Sequence, residues 1–341
     1  MKKVYLKYGK EESLLRRHPW IFSGAIHHFS EEPEEGEVVE VMMALPDAKR
    51  KYGDFNCMAI GHYQSGSIMV RVLSFEQESI DQAFYERKLL SARQMRQALE
   101  VGQSYRLVHG EGDGLPGLVV DVYGKTAVVQ AHSVGMHLDR MMVAKALKVV
   151  MGESIDNIYY KSETTLPIGK EGIGPENGYL LGGNADDLAD ENGLKFHVDW
   201  LRGQKTGFFI DQRDNRSLLE RYAKGRDVLN MFCYTGGFSF YAMRGGAQRV
   251  HSVDSSQKAI DLTNANVELN FPGDKRHQSF AEDAFKFLNE MEQGAYDLIV
   301  LDPPAFAKHK DALRNALKGY SRLNQKAFEK IRPNGILFTF S

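Results

Sequence analysis

The most constraining stretch of this sequence runs from Asp227 to Asp254, where two apolar runs flank a glycine pair and a short helix pattern. Residues 228–232, VLNMF, are typical of a buried parallel strand. The loop YTGG follows, and FSFYAM then predicts a helix that ends at a second glycine pair. Residues 249–253 predict another strand, which ends on Asp254. This order predicts a βαβ unit whose glycine loop lies at the carboxyl edge of a parallel sheet.

The loop favours a nucleoside ligand that carries no phosphate. Glycine allows close approach of the backbone, and an acid at the end of the next strand suits a ribose diol. The loop has no following GK[ST] and lacks the G-x-G-x-x-G spacing, which argues against phosphate and dinucleotide sites. S-adenosylmethionine (SAM) is the obvious cofactor, and ordinary βαβ packing is the alternative. The candidate cofactor residues in the loop are Phe232, Tyr234, Thr235, Gly236 and Gly237.

Three acids follow the ends of successive predicted strands. They are Asp254, Asp283 and Asp302, the last of which ends the apolar run 296–301. The carboxyl ends of parallel strands meet at one crevice, so we expect these side chains to lie together, with Asp283 near an adenine amine. Any one of them alone would be explained as a helix cap. Together with the loop they predict a methyltransferase.

The sequence Asp302-Pro303-Pro304 predicts the catalytic position. Two prolines stiffen a turn and leave carbonyls without neighbouring amide donors. Such carbonyls can hold an exocyclic amine of a base, and Phe306 can stack on that base. A second polar and aromatic segment, residues 207–216, adds Gln212 and Arg213 as cofactor candidates. In that segment we expect Asp214 to cap the following helix.

Composition limits the classes of function. The chain has 341 residues, enough for two or three domains, and a net charge of -2, which excludes a basic nucleic-acid coat. Cys57 and Cys233 are its two cysteines, so we expect no disulfide framework and a reducing cytoplasm. No apolar run approaches the ~20 residues of a membrane span. The N-terminus lacks the apolar core of a secretory signal, and no metal-ligand spacing is found.

The N-terminal 73 residues predict a small β-barrel of short strands with glycine turns. Within it, the segment 14–24 contains Arg16, Arg17 and Trp20. One interpretation is a basic and aromatic RNA-binding face. The alternative is that Trp20 and Phe22 are core residues and that the arginines are merely solvated.

The middle of the chain predicts alternating elements. Residues 79–100 predict a long helix decorated by basic residues that we expect to face solvent. Its predicted apolar stripe is broad and consists of Ala83, Leu89, Leu90, Ala92, Met95 and Leu99. The glycine-rich stretch 106–118 predicts an ordered loop in which Glu111 and Asp113 stabilise turns. A hairpin over 118–131, a helix over 136–151 and a strand over 157–161 follow.

Four motifs together resemble a known family. LVHGEGDGLPGLVVDVYG, GFFIDQRDNR, VLNMFCYTGGFSFYAMRGGA and LDPPAFAK are similar to class I SAM-dependent methyltransferases of the 23S ribosomal RNA large-subunit group, the PUA-containing members that methylate C5 of a cytosine. The resemblance implies a PUA-like RNA-binding domain over 1–73, a central α+β domain over 74–190 and a Rossmann-like α/β methyltransferase domain over 191–341. It also favours the RNA-facing interpretation of Arg16, Arg17 and Trp20. The oligomeric state is left open, a homodimer included.

C5 methylation needs a thiolate that adds to C6 of the base. The resemblance implies that this cysteine follows Thr339-Phe340-Ser341, and the sequence stops at Ser341. We therefore expect this polypeptide to bind cofactor and to methylate cytosine C5 poorly. Cys233 is a weak substitute, since packing behind the loop explains it better.

Other functions stay open at this point. An amine or ring-nitrogen methyltransferase of the same fold needs no cysteine. A non-catalytic RNA-binding or assembly protein would keep the fold without turnover. A nicotinamide dehydrogenase is a remote third, because the phosphate fingerprint is missing.

Overall fold

The computed structural model describes residues 1–44, 55–166, 176–183, 187–307 and 313–341. The chain forms two compact units, one of residues 1–187 with 199–207 and the other of residues 188–198 with 208–341. In the described part of the chain, no helix is both long and apolar enough to cross a bilayer.

The first unit begins with a six-stranded mixed sheet, in the order β2-β6-β5-β4-β1-β3. Strand β1 runs parallel to β4, and the other neighbours are antiparallel. Alternation explains its core: Val4, Val39 and Val41 are fully buried on one face. The predicted N-terminal β domain is confirmed as a curled half-barrel sheet. Its elements are β1 (Lys2–Leu6), α1 (Glu12–Leu15), β2 (Trp20–Phe22), β3 (Ile26–Phe29), β4 (Val38–Ala44), β5 (Phe55–Tyr63) and β6 (Ile68–Ser74).

A five-stranded sheet, in the order β11-β10-β9-β8-β7, completes the first unit with helices α2 to α4. The predicted loop 106–118 is wrong in its first part, because residues up to His109 extend a strand that pairs with the next one. The helix predicted over 136–151 is two helices that meet at Asp139. The elements are α2 (Gln82–Ala98), β7 (Ser104–His109), β8 (Leu118–Tyr123), β9 (Thr126–Ala131), α3 (Val134–Leu138), α4 (Arg140–Met151), β10 (Asn157–Tyr160) and β11 (Gly178–Leu181).

Helix α2 buries part of the predicted stripe. Leu89 and Ala92 face the core as predicted, together with Phe84 and Tyr85, whereas the predicted Leu90, Met95 and Leu99 are exposed. The predicted stripe was too broad, because the aromatic pair at the start of the helix shares the buried face with Leu89 and Ala92. The prediction that basic residues here face solvent is wrong for Arg96, which forms a buried ion pair with Asp113.

The second unit is a five-stranded, fully parallel sheet in the order β16-β15-β14-β17-β18. The predicted α/β Rossmann-like fold is confirmed. Strand order reverses at β14, the point at which open α/β sheets form a binding crevice. Its elements are β12 (Leu188–Glu191), β13 (Leu194–His197), α5 (Arg213–Tyr222), β14 (Asp227–Met231), α6 (Gly237–Arg244), β15 (Arg249–Asp254), α7 (Gln257–Asn270), β16 (His277–Ala281), α8 (Ala284–Glu290), β17 (Leu298–Leu301), α9 (Leu313–Lys330) and β18 (Ile336–Thr339).

The predicted cap of α5 is wrong. The helix already begins at Arg213, so Asp214 lies in its first turn and Gln212 occupies the cap position without a side-chain bond. An acid in the first turn still interacts favourably with the helix dipole.

Candidate functional site

The register of the parallel sheet brings the predicted strand ends to one edge. Met231 is paired with Val253 on one side and with Leu301 on the other. Asp254 is paired with Ala281 in the next strand. The loop after β14, Asp254, Asp283 and Asp302 therefore all emerge at the carboxyl edge, as expected for a crevice at the switch point.

The loop between β14 and α6 has an unusual backbone. Phe232 and Tyr234 adopt positive φ values of 58° and 49°, and Gly236 has a φ of 83°. Non-glycine residues with positive φ are uncommon and cluster where a backbone is held for a ligand. The alternation of positive and negative φ makes the loop a tight, concave turn rather than an extended connection.

Hydrogen bonds brace this loop from behind. The backbone N–H of Cys233 donates to the Val253 carbonyl at 3.1 Å. From α7, Thr263 Oγ1 donates to the Tyr234 carbonyl at 2.9 Å, and Asn266 Nδ2 donates to the Thr235 carbonyl at 3.1 Å. Thr263 and Asn266 are fully buried. The loop is thus preorganised, which reduces the entropy lost when a ligand binds.

Asp254 holds the loop and keeps capacity for a ligand. Its Oδ2 accepts from the backbone N–H of Tyr234 at 3.0 Å, and its Oδ1 accepts from Ser256 N–H at 3.0 Å. A carboxylate has about four acceptor positions, so two remain for ribose hydroxyls. The acceptor oxygens of Asp254 therefore fit the ribose hydroxyls of the nucleoside part of SAM.

Asp283 has a structural task as well. It is the N-cap of α8 and accepts from Lys286 N–H at 2.9 Å. Glu282 N–H donates to the Asp254 carbonyl at 2.9 Å, which keeps Asp283 beside the end of β15. Capping and cofactor binding are compatible for this acid, because one carboxylate oxygen accepts from Lys286 N–H and the other oxygen can accept from a ligand.

Asp302 and Pro303 directly follow β17, and Pro303 is buried while Pro304 is exposed. Phe306 is half-buried against Tyr320 of α9, with ring centroids 4.6 Å apart. A Cβ on Gly319 would come within 3.0 Å of the Phe306 ring, so this glycine allows the ring to pack against α9. Lys308, the last residue of the LDPPAFAK motif, lies outside the described residues.

Sequence reasoning missed a buried ion pair behind the glycine loop. Arg216 donates to both oxygens of Glu191, at 2.8 and 2.7 Å, and both residues are 2% exposed. The Cβ position of Gly237 lies 3.0 Å from Arg216 Cδ. Arg216 stands in the GFFIDQRDNR motif, but its partner is 25 residues upstream and carries no local signal.

The two cofactor candidates of that motif lie at the start of α5, and Arg213 is close to the same ion pair. Gln212 accepts from Asn215 Nδ2 at 2.7 Å. Arg213 Nε is 3.5 Å from Glu191 Oε2. Phe209 makes an edge-to-face contact with Tyr234 of the loop, at 5.4 Å. The motif therefore contacts the loop through its aromatic residue.

The surroundings of Cys233 are not those expected of a nucleophile. Its thiol is buried, with Sγ 3.8 Å from Thr263 Oγ1. Burial, together with the Asp254 carboxylate, raises the pKa of this thiol to about 12. It is therefore protonated at neutral pH, and packing explains it better than catalysis.

The N-terminal candidates lie on the surface of the first unit. The side chains of Arg16 and Arg17 are 71% and 72% exposed. Trp20 is half-buried and donates its indole N–H to Glu111 Oε1 at 2.7 Å. The core alternative is wrong for Phe22, which is 47% exposed. Among the described residues, no group of three His, Cys, Asp or Glu side chains converges as metal ligands.

Comparison with protein families gives two matches. Residues 180–340 match the S-adenosylmethionine-dependent methyltransferase family, and residues 4–75 match the PUA-like domain. SAM is thus the cofactor of the matched methyltransferase domain.

Several curated proteins are similar over nearly the whole chain. The ribosomal RNA large subunit methyltransferase I of Aeromonas hydrophila subsp. hydrophila is 39% identical over 348 residues. The protein of the same name from Tolumonas auensis is 41% identical over 348 residues. Each alignment covers 99% of this chain and 85% of the relative.

Solved structures share the fold. A protein from Streptococcus mutans assigned to the SAM-dependent methyltransferases has a TM-score of 0.79 at 24% identity. A further methyltransferase, solved with S-adenosylhomocysteine, has a TM-score of 0.80 at 24% identity. Each match covers 99% of this chain and 85% of the solved one.

Proposed function

We propose that this chain, which belongs to the ribosomal RNA large subunit methyltransferase I family, transfers the methyl group of SAM to ribosomal RNA of the large subunit. The finer proposal, from the resemblance of its motifs, is that the target is C5 of a cytosine in 23S RNA. That chemistry needs a thiolate, and the buried, protonated Cys233 does not supply it. The alignment of strand ends supports the proposal of SAM-dependent methyl transfer, because it places Asp254, Asp283 and Asp302 at the same sheet edge as a braced glycine loop.

Each residue at this edge has a proposed task. SAM, when bound, supplies an electrophilic methyl group. The loop from Phe232 to Gly237 binds the nucleoside. Asp254 accepts hydrogen bonds from the ribose hydroxyls, and Asp283 accepts a hydrogen bond from the adenine amine. Gln212 and Arg213 complete the cofactor side from the start of α5.

The target base is held on the other side of the loop. The carbonyls of Asp302 and Pro303 both precede prolines, which have no backbone N–H. They are suited to accept from the exocyclic amine of cytosine, while Phe306 stacks on the ring.

We also propose that the N-terminal domain holds the RNA, with Arg16 and Arg17 near phosphates and Trp20 near a base. The proposed boundaries are 1–73 for this domain, 74–190 for the central domain and 191–341 for the methyltransferase domain. The scarcity of cysteine supports a cytoplasmic location, and a homodimer remains one option for the assembly.

The test is methyl transfer from radiolabelled SAM to purified large- and small-subunit ribosomal RNA. We expect label in large-subunit RNA alone. The Asp254→Asn variant should weaken SAM binding by about tenfold, since it loses charged acceptors. The matched control is Asp261→Asn, an exposed carboxylate on the next helix, which should bind SAM normally. Equal labelling of both RNAs would contradict the proposed substrate.

Mass spectrometry of the digested RNA decides which atom is methylated. C5-methylcytidine supports the finer proposal, whereas an N-methylated nucleoside supports the amine or ring-nitrogen alternative. RNA binding that is unchanged by Asp254→Asn, without any methyl transfer by the wild type, would favour an assembly protein instead.

A further inference from the structure

The first unit contains a second cleft, formed where strands β2 and β6 meet the turn after β7. Its volume is about 300 Å³, at the lower end of the ~300–1,000 Å³ typical of small-molecule sites. Its polar and aromatic walls come from Trp20, Arg71, His109, Glu111 and His132. Glu111 belongs to the glycine-rich segment 110–117, which has no role in the methyl transfer proposed above.

The turn that carries Glu111 is rigid. Leu115 N–H donates to the Gly110 carbonyl at 3.0 Å, closing the turn. Asp113 accepts a hydrogen bond from His109 N–H at 2.6 Å and also accepts from the Arg96 guanidinium. Asp113 therefore has the turn-stabilising role predicted for both acids. Glu111 has a different one, because its side chain faces the cleft.

The Glu111 carboxylate is an oriented acceptor. Its Oε1 accepts the indole N–H of Trp20 at 2.7 Å, across 91 positions of sequence. Trp20 is also the cross-strand neighbour of Arg71. An ionised carboxylate only accepts hydrogen bonds, and the bond from Trp20 occupies one of its roughly four positions. The remaining positions are available to N–H donors of a ligand.

Charges in the cleft favour a neutral ligand over a free anion. Burial lowers the pKa of Arg71, and the Glu111 carboxylate opposes that shift, so the two charges face each other. Burial and the Arg106 cation lower the pKa of His132, which is therefore neutral at pH 7. Arg71 is offset by Glu111, and the nearby Arg106 is paired with the Asp121 carboxylate, which leaves little excess charge to attract a lone phosphate.

We propose that this cleft binds a single unpaired guanine of the RNA substrate, packed against Trp20, with its N1–H and N2–H donating to Glu111. Guanine is the RNA base with two adjacent N–H donors on its pairing edge, which matches a carboxylate. RNA-binding proteins read such splayed bases by stacking and by edge contacts. This inference rests on the proposed function, since it assumes an RNA substrate.

The experiment compares binding of an oligouridine with that of the same oligomer carrying one central guanosine, cytidine or adenosine. Fluorescence anisotropy with the full chain measures each affinity. We expect the guanosine oligomer to bind about tenfold more tightly than oligouridine. Glu111→Gln should abolish that preference. The matched control, Glu153→Gln, alters an exposed acid in another short 3-10 helix and should keep it.

Tryptophan emission gives a second readout. The chain has two tryptophans, and Trp200 is buried at 2% exposure. The guanosine oligomer should quench emission in the wild type and not in Trp20→Phe. Equal affinity for all oligomers, a preference retained in Glu111→Gln, or no quenching would each overturn the inference. Methyl transfer to large-subunit RNA, measured in parallel, shows whether the proposed function stands when this inference fails.

Discussion

Breaking the buried ion pair behind the glycine loop should destabilise the second unit and weaken SAM binding. The perturbation is Arg216→Met, which keeps the volume and removes the charge. It leaves the Glu191 carboxylate 2% exposed without its two shortest hydrogen bonds. Removing one partner of a buried pair costs about 3–5 kcal/mol, because the other charge stays desolvated.

The remaining contacts of Glu191 reduce that cost. Tyr241 still donates its hydroxyl to Oε1 at 3.0 Å, and Arg213 Nε lies 3.5 Å from Oε2. We therefore expect a loss near the lower end, about 3 kcal/mol. With a urea m-value of about 2 kcal/mol per molar, the unfolding midpoint should fall by about 1.5 M.

The assay is urea unfolding followed by far-UV circular dichroism. Both tryptophans, Trp20 and Trp200, belong to the first unit, so their fluorescence reports on that unit separately. The matched control is Arg221→Met, an exposed arginine on the same helix, whose midpoint should stay near the wild type. Calorimetry should show weaker SAM binding in Arg216→Met, because the side chain packs under the start of α6.

A double variant isolates the cause. Replacing both charges, as in Glu191→Leu with Arg216→Met, should recover most of the lost stability, since apolar pairs substitute well for buried ion pairs. A single variant within about 1 kcal/mol of the wild type would refute the reasoning. So would a double variant as unstable as the single one.

Three further predictions concern the loop and the sheet. Gly236→Ala should cost about 1–3 kcal/mol, because its φ is 83° and its Cβ would lie 2.7 Å from the Phe240 ring; thermal unfolding and SAM calorimetry measure the loss, and an unchanged Kd would contradict it. Cys233→Ala should keep most of the methyl-transfer rate, because the thiol, with a pKa of about 12, is protonated; a complete loss of activity in a folded variant would make Cys233 the nucleophile. Burial lowers the pKa of both His251 and His277 from 6.5 to about 4, so the unfolded chain binds protons first as the pH falls. The stability contributed by these histidines is complete above about pH 6.5 and declines towards pH 4, by about 1–2 kcal/mol after solvent screening. In His277→Gln the thermal midpoint should therefore depend less steeply on pH between pH 7 and 5 than in the wild type. An unchanged slope would refute this.

Local sequence patterns predicted the parallel sheet of the methyltransferase domain. Each of its central strands is a short apolar run, and an acid or a glycine loop follows directly. Because parallel strands end at a common edge, the positions of Asp254 and Asp302 along the chain were enough to predict that both lie at that edge. The resemblance of four motifs then predicted the domain that precedes them.

The ends of helices and the faces that they bury were harder to predict from the sequence. Asp214 lies two residues beyond the cap position of α5, a shift that helix patterns do not resolve. In α2, the predicted stripe was too broad, and packing buried its Leu89 and Ala92 together with Phe84 and Tyr85. Propensity and periodicity are weak where two local solutions are nearly equal in energy.

Long-range partners were decided by the tertiary structure alone. Glu191 meets Arg216 behind the loop, and Trp20 meets Glu111 across 91 positions. Periods of 2 and 3.6 residues report which face of a strand or helix is buried, not which side chain lies opposite it. A charge or an indole finds its partner through the packing of whole elements, so these two pairs could be identified only from the folded structure.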